Sequence, residues 1–226
     1  MIKVEDSHVW GFKHAIRGMR NPMNSWDKSD SFLCKGNDFD DCRSTSKFCP
    51  RSDGDFAEDV FCVGNADLTL MKKLYKAGTE HRKYLRQIFV SMDITAPLYW
   101  WKEMDTYKVG TVSNSCSTMH KIADKEFELD DFSHEHLNAA VLEYTFQGVI
   151  SCLNFFRDLY LQNKDKDDWW QMIQLLPSSY NQRRTITMTY ENVVSIIKQR
   201  ENHKLDEWRE FVEILKKLPY IKEITE

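Results

Sequence analysis

The sequence predicts an α+β fold, dominated by helices, in a single domain over residues 1–226. Three observations lead there. Apolar residues recur at helical spacing through most of the chain, strict alternation is confined to short stretches, and 226 residues that are 42% apolar and 13% aromatic suffice for one substantial core. The aromatic side chains bury enough area to offset chain entropy, so the chain is expected to fold rather than stay disordered.

Taken in order, Ile2 to Val4 reads as a short strand and Trp10 to Met19 as a helical piece closing on Asn21 and Pro22. From Ser29 to Asn65 the composition shifts to Ser, Asp, Gly and Cys with little apolar period, so residues 29–65 read as a long loop or insertion. Asp67 to Lys76 is a helix stopped by Ala77-Gly78, glycine being the usual residue just past a helix end. Ile88 to Thr95 alternates, with Ile88, Val90, Met92 and Ile94 on one face, as a half-buried strand does. Pro97 opens a helical turn over Leu98 to Glu103, and Gly110 to Thr118 is small and polar.

Ser133 to Leu161 reads as the longest helix and carries two apolar stripes. One is Leu142, Phe146, Val149, Leu153, Phe156 and Tyr160; the other is Leu137, Val141, Tyr144, Cys152, Phe155 and Leu159. A helix apolar on two sides must be covered on two sides, which favours an oligomer. A helix from Trp169 to Leu176 ends at Pro177, Arg184 to Tyr190 alternates as a strand, and Glu191 to Arg200 begins a helix. Leu205, Trp208, Phe211 or Val212, Leu215 and Leu218 stripe the last one.

Charge and composition narrow the function. With 31 basic against 35 acidic residues the net charge is -4, which gives no global field for duplex nucleic acid but leaves room for a local phosphate pocket. No apolar run approaches the roughly 18 residues of a membrane span. The opening residues lack a secretory signal, so a cytoplasmic location without disulfides is expected. Cys34, Cys42, Cys49 and Cys62 are spaced C-x7-C-x6-C-x12-C, without the close pairs of structural zinc sites, so they are read as loop thiols and no metal is expected. The acidic run Asn163 to Asp168 lacks the glycine and the final glutamate of a calcium loop.

Three polar segments flank rigid elements: Glu80 to Arg86, Lys102 to Ser117, and Arg183-Arg184 leading to Arg200, His203 and Glu207. Arg200 and His203 share a face if the helix continues, and His203 and Glu207 are then i,i+4 neighbours. Singly, each has a plain alternative: charges beside a strand are usually solvated, and Ser/Asn-rich segments are usually turns.

Their order carries more. A strand ending in Ala96-Pro97, an aromatic and basic helix, a polar N-x-x-S loop, a long helix, Leu176-Pro177, a strand and a helix ending in R-x-x-H-x-x-x-E together resemble the flavin-dependent thymidylate synthases, from about Gly78 to Leu218. The family signature reads R-H-R-x7-S; here Thr106-Tyr107-Lys108 stand at R-H-R, and Asn114 and Ser117 follow with one extra residue of spacing. Toward the C-terminus Leu176-Pro177 match, Ile196-Ile197 fill an apolar pair, Arg200 keeps the family arginine, and His203 to Trp208 follows its H-A-Q-x-E-I line. Ile173 and Met119 stand where the family carries arginines near the nucleotide.

The resemblance implies a small, mainly antiparallel sheet, and methylation of dUMP at C5 with carbon from methylenetetrahydrofolate and reducing equivalents passed from NADPH through FAD. It also implies a homotetramer with sites composed between subunits. By position, Ser117 and Arg200 would be catalytic. His81, Tyr107, Lys108 and His203 would line the flavin, and Asn114, Ser117, Arg183, Arg184 and Arg200 would hold the pyrimidine nucleotide, Arg183 or Arg184 replacing a missing arginine. Cys116 adds a thiol nucleophile as an option, although N-S-C-S lacks the P-C-H signature of the other thymidylate synthase class. A lysine does not reproduce a bidentate arginine clamp. Three readings stay open: a divergent member, the same scaffold with a changed ligand or reaction, and a non-catalytic nucleotide- or flavin-binding protein.

Overall fold

The computed structural model describes residues 1–34 and 60–226. The chain forms two compact units, one made of Met1–Asp6, Met92–Ile186 and Lys204–Glu210, the other of Ser7–Ser91, Thr187–His203 and Phe211–Glu226.

The first unit carries parts of a four-stranded sheet in the order β1-β4-β6-β5, with β1 Lys3–Trp10, β4 Phe89–Pro97, β5 Thr111–Ser115 and β6 Asn181–Thr189. Strand β1 runs well past the Val4 that periodicity indicated, because its later residues face water and show no apolar alternation. On β4 the expected face is real: Met92, Ile94 and Ala96 are buried in this unit and Val90 in the other, with Ile88 buried just ahead of the strand. Each of the larger side chains contributes about 1.5–3 kcal/mol by leaving water, the Ala96 methyl less.

Pro97 caps helix α3, Leu98–Met104, whose first amides donate to Tyr180 O and Ser178 O at 3.0 Å each, so the helix start is satisfied by the segment ahead of β6. The segment from Gly110 to Thr118, read as a polar loop, contains strand β5. Its side chains after Thr111 are exposed but its backbone is in the sheet, Cys116 N donating to Arg183 O at 2.9 Å.

The long helix also differs from expectation. It begins at Ala139 rather than Ser133, with α4 Ala139–Val141, a π-helical turn Leu142–Phe146, and α5 Gln147–Asn163. Asn138 caps it by accepting from Val141 N at 2.9 Å. Phe146, Ile150 and Leu153 join Ile122, Ala123, Phe127, Phe132 and Met172 in one core, with Leu142, Val149, Phe156 and Tyr160 packed on its margin. The first apolar stripe is therefore covered within the unit. Met172 comes from α6, Lys166–Leu175.

In the second unit α1, Phe12–Arg20, is preceded by Gly11 at φ +101°, and a Cβ there would lie 2.2 Å from Gln87 O, so only glycine fits. The ends of the expected 29–65 loop are ordered as a ribbon: β2 Phe32–Cys34 pairs antiparallel with β3 Val60–Cys62. Cys34 and Cys62 lie on it, two rungs apart in register; Cys42 and Cys49 lie outside the described residues. Helix α2, Asn65–Lys76, ends at Ala77 with Gly78 at φ +104°, as its sequence indicated.

Helix α7, Tyr190–Arg200, is capped by Thr189, and its Glu191 accepts from Arg82 at 2.7 and 3.1 Å. Phe12 packs edge-on against Tyr190 and Tyr220. The expectation that Arg200, His203 and Glu207 share one helix is overturned: α7 ends at Arg200, His203 stands between the helices, and Glu207 is in the first turn of α8, Asp206–Lys216. A short last helix, α9 Ile221–Thr225, has no signature in the apolar stripe.

Candidate functional site

The first unit holds a cleft of about 320 Å³ lined by Trp101, Met104, Asp105, Tyr107, Lys108, Thr111, Ser113 and Ile186. Local sequence explains its walls. Trp101 and Met104 are i,i+3 neighbours on α3, residues 105–110 turn the chain back, and Thr111 and Ser113 alternate on β5. Ile186 is an inward residue of β6, 1% exposed.

Below the cleft lies a run of aromatic rings. Trp100 sits 4.8 Å from Trp101 and 4.6 Å from Trp208, and Trp208 lies 6.1 Å from Tyr107. Trp101 Nε1 donates to Gln182 O at 2.9 Å, which fixes the indole against β6. Buried Gln182 spans two elements, its Nε2 donating to Cys116 O at 2.8 Å and its Oε1 accepting from Arg184 Nε at 2.9 Å. The Arg184 guanidinium lies 4.3 Å above the Trp101 ring and donates to Asp105 at 2.8 Å.

The sequence-predicted residues divide. Tyr107 and Lys108 line the cleft. Arg184 stands beside it through its contacts with Trp101 and Asp105. Arg183, on the other face of β6, is half exposed and donates to Asp93 at 2.6 Å, with Glu5 at 3.8 Å. That hydrogen bond, with a second from Thr185, holds the Asp93 carboxyl below its ordinary pKa. Asn114 is exposed on β5. Ser117 lies just past it, its Oγ accepting from His120 N at 3.0 Å as a turn cap. Cys116 is exposed.

His81, Arg200 and His203 belong to the second unit, His81 exposed and the other two half-buried. Glu207 belongs to the first, where it is buried and accepts from Tyr99 Oη; burial, then this carboxylate, raises the Tyr99 pKa. Sequence reasoning missed Trp101, Asp105 and Ile186. The apolar alternation of β6 pointed to Ile186, but stacking of Arg184 on Trp101 joins residues 83 positions apart and leaves no local pattern.

The chemistry of the cleft follows from its lining. An apolar floor of Trp101, Met104 and Ile186 under a rim carrying Tyr107 and Lys108 suits a flat ring with an anionic or carbonyl edge. The volume is at the low end for ligand sites, enough for one ring system.

No family model matches the chain, and no curated protein matches it by sequence. Solved structures do. A flavin-dependent thymidylate synthase ThyX from Helicobacter pylori, complexed with FAD and dUMP, superposes with a TM-score of 0.62 at 17% identity, over 94% of this chain and 91% of that one. A second structure of Thymidylate Synthase X from the same organism, also with FAD and dUMP, gives the same values. The chain has the fold of these enzymes: helix-rich, with a small antiparallel sheet.

Proposed function

We propose that this chain binds a flavin and a pyrimidine nucleotide, and methylates the pyrimidine as a divergent flavin-dependent thymidylate synthase. The observation that carries this reading is the cleft. Tyr107 and Lys108, the residues that stand at the family's R-H-R signature, line one apolar pocket floored by Trp101, in a chain whose fold matches over 94% of its length. Tyr107 and Lys108 would hold the flavin ring there, the first by ring contact and the second by its charge; FAD, when bound, would supply hydride transfer.

The remaining assignments are part of the proposal. Asn114, Ser117, Arg183, Arg184 and Arg200 would serve the nucleotide, with Ser117 and Arg200 catalytic, and His81 and His203 the flavin. Methylenetetrahydrofolate and NADPH would be co-substrates, in a cytoplasmic homotetramer with composite sites. The expected result is a yellow purified protein that takes up FAD and rescues a thymidine-requiring host. Protein that is colourless and takes up no added FAD defeats the reading.

A second reading has its own support. Arg184 is already matched by Asp105, and Arg183 by Asp93 and Glu5, so neither presents an uncompensated charge to a phosphate. This favours the same scaffold holding a less charged ligand, with or without catalysis. FAD uptake without thymidine rescue distinguishes it.

A further inference from the structure

We infer that α1 and the 3-10 helix Lys83–Gln87 form a docking surface for single-stranded nucleic acid, with cations for its phosphates and exposed rings for its bases. The surface lies in the second unit and uses none of the residues assigned above to the flavin or the nucleotide.

Two elements bring the charges together. Gly11 and Gly18 admit Gln87 against α1: a Cβ at Gly11 would lie 2.2 Å from Gln87 O, and one at Gly18 would lie 2.6 Å from Gln87 Oε1. The end of the 3-10 helix is thereby held against α1. Lys13, His14 and Arg17 form the exposed face of α1, and Lys83 and Arg86 are i,i+3 neighbours, which a 3-10 helix places on one side. All five are exposed, and none is matched by a carboxylate among the described residues. By contrast Arg20, Arg82, Arg183 and Arg184 all have acidic partners. Neither element contains an acidic residue; those closest along the chain are Asp6, Asp27, Glu80 and Asp93. A net charge of -4 thus conceals a local concentration of positive charge.

Rings stand at both ends of α1. Just ahead of Gly11, Trp10 is 41% exposed and lies in a near-parallel stack, 5.8 Å from His8 and 5.8 Å from Phe89. At the other end Trp26 is 44% exposed and 6.0 Å from the Arg17 guanidinium, its Nε1 donating to Asn21 at 2.8 Å. Rings already held in place lose little freedom when a base stacks on them. With α1 about 13 Å long, the cations between them can follow a few successive phosphates.

The chemistry selects the partner. A duplex conceals the faces of its bases, and an acidic peptide has none to offer. A membrane surface calls for apolar side chains on the face that carries the cations, but Phe12, Ala15, Ile16 and Met19 of α1 are all buried. A single strand presents phosphates and base faces together.

The test is fluorescence anisotropy of the full chain with a labelled oligothymidylate of about twelve nucleotides. Micromolar binding is expected at about 50 mM salt. Four phosphates neutralised by Lys13, Arg17, Lys83 and Arg86 give a logarithmic salt slope of about -3, a loss of roughly fiftyfold by about 200 mM. Lys83→Ala/Arg86→Ala should halve the slope. Trp10→Ala and Trp26→Ala should each cost about fivefold or more with the slope unchanged. If Trp10→Ala does not fold, Trp26→Ala alone decides the ring contribution. No binding at tens of micromolar, equal or tighter binding of a same-length duplex, polyglutamate or phosphatidylserine vesicles, an unchanged slope in the double variant, or full affinity in the folded tryptophan variants overturns the inference.

Discussion

Arg20 in the second unit and Arg183 in the first each reach a carboxylate at 2.6 Å, Arg20 to Asp67 and Arg183 to Asp93. The surroundings differ completely. Arg20 and Asp67 are 5% and 0% exposed, whereas Arg183 and Asp93 are 50% and 19% exposed. Asp67 also accepts from Ser29 and Ser31, and through them it fastens the strand entering β2 to the start of α2. Burial works against its ionisation, but the hydrogen bonds from Ser29, Ser31 and Arg20 outweigh it and keep its pKa below the ordinary value. The lesson is that an arginine–carboxylate distance does not reveal its role. A pair without water becomes part of the framework, while a pair in water remains exchangeable with a ligand or solvent.

The sharpest attempt to break this contrast is Asp67→Ala. It leaves a buried guanidinium without its counterion and strips three donors of their acceptor, so a loss of about 3–5 kcal/mol in urea unfolding is expected. A loss under about 1 kcal/mol would mean that water reaches Arg20 and that the two pairs are alike.

The same pair predicts a pH signature. The folded-state pKa of Asp67 is depressed, so its contribution to stability is fully present above the ordinary carboxylate value of about 3.9 and is lost as pH falls through the lower folded value. The stability gap between the parent chain and Asp67→Asn should therefore be constant from pH 5 to 7 and narrow below about pH 4. A gap that instead narrows between pH 5 and 7 would show that the folded carboxyl is raised, not lowered.

Arg184 and Asp105 occupy the middle ground, 15% and 53% exposed at 2.8 Å, beside the cleft. Here the carboxylate competes with any anion for the guanidinium. Asp105→Asn should raise affinity for a phosphate-bearing nucleotide by about threefold to tenfold, roughly 0.6–1.4 kcal/mol, with little change in unfolding midpoint. Unchanged affinity by calorimetry would show that Arg184 does not face the ligand, and would remove it from the nucleotide set.

Much of the framework was legible in the sequence, for a reason the residues make clear. Val90, Met92, Ile94 and Ala96 alternate because β4 buries one face, and Gly78 ends α2 because it supplies the left-handed backbone. Strand β5 was not legible. An edge strand with exposed side chains takes its identity from the neighbouring backbone, and T-V-S-N-S reads equally as a turn. The break at residues 201–205 was hidden too, since apolar spacing resumes on α8 as though the helix had continued. In the site, order of segments singled out Tyr107 and Lys108, but Trp101 and Asp105 join them only through tertiary contacts.

The smallest effect belongs to the exposed pair. Asp93→Asn should leave the unfolding midpoint where it was, because water replaces what Arg183 gives up and the long arginine side chain regains its freedom. Stability is then the wrong measurement, and the carboxyl itself the right one. The hydrogen bond from Arg183 is the largest influence lowering the Asp93 pKa, ahead of that from Thr185. In an NMR titration Arg183→Ala should return Asp93 most of the way to its ordinary value, while Thr185→Ala returns it less. If Thr185→Ala has the larger effect, Arg183 is not held by Asp93 in solution, and its guanidinium becomes free for a nucleotide phosphate.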